Sequence, residues 1–484
     1  MSLLLTGARI PGSDGVVDVR IADGRIDAVD LAGRLDAAGA EQLDLDGRWL
    51  VPGLWDQHVH FTQWAQTARR LDVSRAASAA EAADLVRRRV SAGGQDGDDL
   101  LVGFGFHDAL WPDLPTRELL DAAAGERPVV LIAGDLHCSW LNTAAARHLG
   151  LESDDAVLRE DASFAVSSAL TTADDATMDR WAADAATVAA SRGVVGIVDL
   201  EYGWNVETWQ RRLSAAEPRL RVEFGIYGDH LDRAAALGLH TGRTIDGTSG
   251  LLTAGPFKVI SDGSLNTRSA LCSHAYPDGG HGVANLDERE LVAAMRFAVD
   301  HGIEPAVHAI GDEANRRALD AFERVGAGGR IEHAQLVDPA DVPRFARLGV
   351  TASVQPEHAM DDRDVADRLW EGRTDRAFPL ADFLRHGVRL AFGSDAPVAP
   401  LDPWIAIAAA VNRSREGREP WHPEQRIPFS AALEASARSR IAAGEPADLA
   451  VLDLDPAAAT DEELRALPVA ATLLAGHFTH DTLR

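Results

Sequence analysis

The chain has 484 residues, 46% of them hydrophobic, enough for one domain of about 250 residues or more and a smaller one. Its formal net charge of −28 argues against nucleic acid and anionic membrane as partners, and simple solubility accounts for most of that charge. Two cysteines, Cys138 and Cys272, make neither a disulfide framework nor a Cys-rich metal site. No run of 18 apolar residues predicts a transmembrane helix, and Met1-Ser2-Leu3-Leu4-Leu5 does not read as a signal peptide, so a cytoplasmic chain is expected.

Residues 1–50 read as short strands and turns. Apolar or alternating runs at 3–10, 17–21, 26–29 and 42–50 are separated by turn signals such as Gly12-Ser13-Asp14-Gly15 and Asp23-Gly24. This β-unit runs into Val51-Pro52-Gly53-Leu54-Trp55-Asp56-Gln57-His58-Val59-His60. In a strand, residues i and i+2 share a face, so His58 and His60 converge. Two imidazoles on one point suit a divalent transition metal, although such a pair alone is a weak signal.

Residues from about 70 to 190 are rich in Ala, Asp and Arg, with helical patterns at 80–90 and 177–191. Strand-like runs at 99–106 and 128–133 lie among them. The stretch is longer than a βα unit needs and predicts an elaboration that covers a site. From Gly193 strands and helices alternate. Strands are expected at 194–200, 220–227, 255–260, 304–308, 330–335, 350–355 and 388–394. Helices are expected between them, among them one over 287–300 with an acidic N-cap and Gly302 as its stop. About eight strands counted from His58 favour an α/β fold with a (β/α)8 TIM-like barrel. After residue 440 strands return at 448–454 and 469–474. The two ends are expected to pair, giving a small β-sandwich domain from 1–50 and 440–484 beside a barrel over 51–439.

Parallel barrel strands all open their C-terminal ends on one face, where active sites lie. The polar residues at those ends are His58, His60, Lys258, His308, His333 and Asp395. His308 and His333 are 25 residues apart, one βα unit, and His333 and Asp395 are 62 apart, two units. Four histidines, a lysine and an aspartate so placed form a metal constellation. Neutral imidazoles hold the ion, and a carboxylate can both ligate and take a proton from water.

The chain resembles the amidohydrolase superfamily of metal-dependent hydrolases, and within it the amidohydrolase-3 group of N-substituted formamide deformylase-like proteins. The resemblance covers nearly the whole chain. It rests on 52–60, on Gly134-Asp135-Leu136-His137-Cys138-Ser139-Trp140-Leu141-Asn142, and on Phe257-Lys258-Val259-Ile260-Ser261-Asp262-Gly263-Ser264. It continues in Val307-His308-Ala309-Ile310-Gly311-Asp312, Arg330-Ile331-Glu332-His333-Ala334-Gln335, Phe392-Gly393-Ser394-Asp395-Ala396-Pro397 and Gly444–Asp453.

The resemblance implies that His58, His60 and Asp395 bind a buried metal and His308 and His333 a second, with zinc suited to the donors. Lys258 matches a lysine that many members carry as N6-carboxylysine bridging two metals. The alternative is an ammonium paired with Asp262 or a substrate carboxylate, so one or two metals per chain remain open. Asp395 is the expected general base, and the expected reaction is hydrolysis of an amide or cyclic amide C–N bond in a small molecule. A mononuclear deaminase is the alternative. Against it stand Lys258 and the run His308-Ala309-Ile310-Gly311-Asp312, one residue longer than the His-x-x-Glu of such deaminases. A non-catalytic assembly protein is a further alternative, disfavoured because all six positions are kept.

His137 is a candidate donor to the substrate carbonyl or a neighbour of Trp140. Arg268 is a candidate for a substrate anion or one more surface arginine. Trp55, Phe106, Trp111 and Gln355 are candidates for the pocket wall, with a core role as the alternative for the aromatics. Asp312 and Gln335 are candidate partners of metal-bound histidines. The resemblance is compatible with a homo-oligomer.

Overall fold

Eight parallel strands carry the fold of the computed structural model, which describes residues 2–37, 39–92, 100–151, 155–170, 174–215 and 217–484. They are β1 (Leu54–Val59), β2 (Val194–Asp199), β3 (Arg221–Tyr227), β4 (Leu252–Ile260), β5 (Pro305–Ala309), β6 (Gly329–His333), β7 (Val350–Val354) and β8 (Leu390–Phe392), adjacent in that order. The sheet closes on itself just past β1 and β8. Asp395 N–H donates to the His58 carbonyl and His60 N–H to the Ala396 carbonyl, both at 2.8 Å. The result is a (β/α)8-type barrel. β1 and β2 are buried along their whole length, which is why they read as continuous apolar runs rather than alternating ones.

Helices cover the outside. The helix Glu288–Asp300 starts at a capping box between Asp287 and Glu290 and buries Leu291, Met295 and Ala298 at helical spacing. The helix Asp312–Val325 buries Ala314, Ala318, Leu319, Phe322 and Val325, and ends at Gly326 in the left-handed region with φ 72°. These faces meet Phe257, Val307, Ile331 and Val354 of the strands in one core.

The two chain ends share one eight-stranded sheet. Trp49–Pro52 pairs antiparallel with Leu449–Leu452, setting Val51 opposite Ala450. Strand periodicity divides the labour. Leu449 and Val451 pack with Leu3, Leu5 and Val19, whereas Ala450 and Leu452 join the barrel core.

The strand-like runs between 70 and 190 do not enter the barrel. Leu71–Asp72, Leu101–Phe106, Val129–Ala133, Cys138–Leu141 and Val157–Arg159 form a separate five-stranded sheet, and Asp99 lies outside the described residues. Leu101–Phe106 and Val129–Ala133 pair in parallel across the helix Arg117–Ala124. That is the rhythm of a barrel unit, so periodicity alone does not separate the two. The aromatic rings of Phe106, Trp111 and Trp140 pack together in this sheet's own core.

Candidate metal centre

β1 ends at Val59, and His60 caps the helix Phe61–Thr67 with φ −105°. The two imidazoles still converge, through a strand end and a helix start rather than one strand face. His58 Nε2 and His60 Nε2 each lie 3.3 Å from Asp395 Oδ1. All three side chains are buried, and their ligand atoms lie within 4.8 Å of one another. Asp395 and His333 have φ of 57° and 73°, left-handed values that cost a non-glycine residue energy and cluster at functional sites. Main-chain bonds hold both, from Asp395 N–H to the His58 carbonyl and from Ala334 N–H to the Ala309 carbonyl.

Lys258 lies buried on β4 and is the only lysine in the chain. Burial lowers its pKa, opposed by the charges of Glu332 and Asp395. Asp262 is engaged elsewhere. It accepts from the backbone N–H groups of Leu271, Gly311 and Ile310 at 2.9, 3.0 and 3.1 Å, and burial pushes its carboxyl up to about 7. His308 on β5 and His333 at the end of β6 stand with ring centroids 4.4 Å apart, and His333 is 5.0 Å from His58. Burial holds both His308 and His333 well below the usual imidazole range, so they are neutral.

The donors fit a cation. Among the described residues, the buried His58 Nε2, His60 Nδ1 and His333 Nδ1 have no hydrogen-bond partner. Buried polar atoms are rarely left so unless something outside the protein satisfies them. Imidazole nitrogens left unpartnered around an ionised carboxylate are a metal-ligand set. Burial alone would raise the Asp395 carboxyl. The charge of His58 and the hydrogen bond from His60 outweigh it and hold the group well below the carboxylate range.

Two residues of the centre were given no role from sequence. Glu332 Oε2 lies 2.6 Å from His58 Nδ1. Its other oxygen accepts from Arg330 Nε at 2.6 Å, and Arg330 also donates to the Gln57 carbonyl and Ser353 Oγ, both at 2.6 Å. The available signal was the spacing of Arg330 and Glu332, which puts both on one strand face. His358 begins the helix His358–Leu369, with its ring stacked 6.3 Å from His333. His333, His358 and Asp395 form a second set within 4.8 Å, and His358 Nε2 has no partner among the described residues. Its signal was a fifth histidine just beyond the C-terminal end of a barrel strand.

A cavity of about 1030 Å³ opens over the centre, lined by His58, His60, Lys258, His308, His333 and Asp395. Residues of the five-stranded region reach its wall. His137 is among them. Its Nδ1 lies 2.8 Å from Glu160 Oε2, and its ring stands edge-on to Phe164. Trp140 points elsewhere, donating its indole N–H to the Thr116 carbonyl at 2.9 Å. Gln335 also lines the cavity. Other expected contacts lie off its wall. Gln355 is buried beside His58, with Nε2 3.4 Å from His58 Nδ1. Trp55 packs against Val195, Val198 and Leu200 beneath the Arg438 guanidinium. Arg268 is exposed and paired with Asp278 at 2.8 Å. Asp312 accepts from the Ser273 backbone and hydroxyl instead of meeting a histidine.

Comparison with known proteins agrees with this geometry. A family model described as "Amidohydrolase family" matches residues 41–480. The putative amidohydrolase YtcJ of Bacillus subtilis is 28% identical, over 91% of this chain and 90% of its own length. The N-substituted formamide deformylase of Arthrobacter pascens is 26% identical over the same shares. The crystal structure of an uncharacterized metal-dependent hydrolase from Pyrococcus furiosus superposes with a TM-score of 0.75 at 26% identity, covering 94% of this chain and all of that one. With a barrel of this topology and a buried His/Asp cluster at its mouth, the chain belongs to the amidohydrolase family and is a metal-dependent hydrolase.

Proposed function

We propose that the protein hydrolyses a C–N bond, in an amide or cyclic amide, of a small molecule. The carrying observation is the convergence of buried His58 and His60 on Asp395 at the barrel mouth, with the chain's only lysine beside them. The name of the relative from Arthrobacter pascens supports a C–N bond.

In this reading His58, His60 and Asp395 hold one divalent ion, zinc by donor chemistry, and His308 and His333 hold a second. Lys258, as a carbamate, would supply an anionic oxygen ligand beside them. Its lowered pKa favours the neutral amine, which attacks CO2, forms the N–C bond and loses a proton. When bound, the metal acidifies water and polarises a carbonyl. Asp395, ionised at neutral pH, takes the proton of the attacking water and returns it to the leaving nitrogen. His137 donates to the carbonyl oxygen as charge develops there. Glu332 keeps the proton of His58 on Nδ1, so Nε2 faces Asp395.

Elemental analysis of protein grown with zinc and bicarbonate, beside Lys258→Ala, tests this. About two metals per chain, falling to one or none in the variant, is the expected result. A ¹³C-bicarbonate spectrum should show one side-chain carbamate, because there is one lysine. One metal in both proteins removes the bridge and brings the deaminase alternative forward. No metal in either overturns the mechanism.

A further inference from the structure

Arg70 lines the cavity and has no hydrogen-bond or ion-pair partner for its guanidinium among the described residues. That is unusual in a chain with a net charge of −28. Two other arginines on the same wall are taken. Arg211 and Arg212 share Asp179, at 2.5 and 3.0 Å. Burial alone lowers the Arg70 pKa to about 10, with no carboxylate countering it. Arg70 is partly covered, and a cation drawn partly out of water without a counter-ion is destabilised until an anionic ligand pairs with it.

The position of Arg70 follows from the helix that starts at the metal centre. His60 caps the helix Phe61–Thr67. Thr62 and Gln66 lie one turn apart on it, Arg70 follows in the turn three residues past its end, and all three line the cavity. Seven helical residues at 1.5 Å of rise, with the turn beyond them, put the Arg70 backbone roughly 10–15 Å from His60. That is about the length of three to four extended residues. The cavity, at about 1030 Å³, is larger than a simple amide needs. The guanidinium fork matches a carboxylate in two parallel hydrogen bonds. Glu201 and Asp175 on the same wall favour a monoanion over a phosphate dianion.

We propose that Arg70 binds a carboxylate at the far end of an elongated substrate whose C–N bond lies at the His58–His60–Asp395 centre. This rests on the hydrolase reading above for the near end.

The probes are linear dicarboxylates from succinate to dodecanedioate, each paired with the monocarboxylate of equal chain length, titrated into the metal-loaded protein by calorimetry. One carboxylate occupies the metal centre and the second, where present, reaches for Arg70. The expected result is an advantage of about tenfold for the longer dicarboxylates over their monocarboxylate partners. It should fall to about one in Arg70→Gln and persist in part in Arg70→Lys. No advantage at any length, or an advantage that survives Arg70→Gln, overturns the proposal. Metal content and monocarboxylate binding of the same samples separate the two readings. If both are present but the advantage is missing, Arg70 alone loses its role. If both are absent, the hydrolase reading fails with it.

Discussion

His58 Nδ1 and Glu332 Oε2 lie 2.6 Å apart inside the barrel, with neither side chain more than 1% exposed. A carboxylate on Nδ1 fixes the tautomer, raises the basicity of Nε2 and locks the ring. Burial would raise the Glu332 carboxyl, but Arg330 and His58 hold it well below the ordinary range. Glu332→Gln should weaken metal binding by about 10- to 100-fold. Chelator competition on the folded fraction measures it. Unchanged affinity would leave Glu332 a partner of Arg330 only.

Gly393 approaches β1 from the opposite edge of the closure. A Cβ there would sit 2.6 Å from the His58 nitrogen and 2.7 Å from its Cβ. The obstacle includes backbone, which cannot swing away. Gly393→Ala should therefore cost about 1–3 kcal/mol by denaturant unfolding and lower metal stoichiometry with it. Full retention of both would show that the β1–β8 closure is looser than these distances.

His137 and Glu160 give a pH-dependent prediction. Burial would lower the His137 pKa. The hydrogen bond that His137 donates to Glu160 and the charge of Asp135 outweigh it and raise the group, while Glu160 falls to about 2. A raised pKa keeps the imidazolium, and its donor proton, to higher pH. Glu160→Gln removes that support, so the alkaline limb of kcat/KM should move to lower pH. His137→Gln should lower kcat/KM by about 10²-fold. A pH profile identical to wild type in Glu160→Gln would take His137 out of the reaction.

Asp362, a partly covered residue of the cavity wall, has its carboxyl raised to about 8 by burial and by the charges of Asp361 and Asp135. The folded pKa lies above the unfolded one. Its stabilising contribution is therefore complete below about pH 4 and is lost as pH rises to about 8. Asp362→Asn keeps an acceptor for Asn266 and cannot ionise. Its Tm should match wild type near pH 5 and exceed it by about 1–3 °C near pH 9. Partial exposure keeps the effect small. A constant Tm difference across that range would count against this ionisation.

Much of the centre is legible in sequence because barrel topology is local. A strand followed by a helix repeats every few tens of residues, so histidines at strand ends declare themselves. His58, His60, His308, His333 and Asp395 were named on that basis, and the structure gathers them around one cavity. What periodicity could not supply was the pairing of distant residues. Glu332 meets His58 from 274 positions away, and nothing in Glu332 itself separates it from any other strand carboxylate. The same holds for Arg70, which is distinctive only through what does not surround it. Trp55 had two readings from sequence, pocket wall and core, and its packing is that of a core residue. Strand alternation and Gly196, which leaves room for its ring, turn it into the layer with Val195 and Leu200.

The pairing of Trp49–Pro52 with Leu449–Leu452 has a consequence for biosynthesis. A ribosome makes the first of these strands roughly 400 residues before its neighbour emerges. β1 also lacks its β8 edge until residues 390–396 are made. The strand that carries His58 thus leaves the ribosome roughly 330 residues before its second edge is covered. During translation it is an exposed apolar edge, the kind of segment that holding chaperones bind.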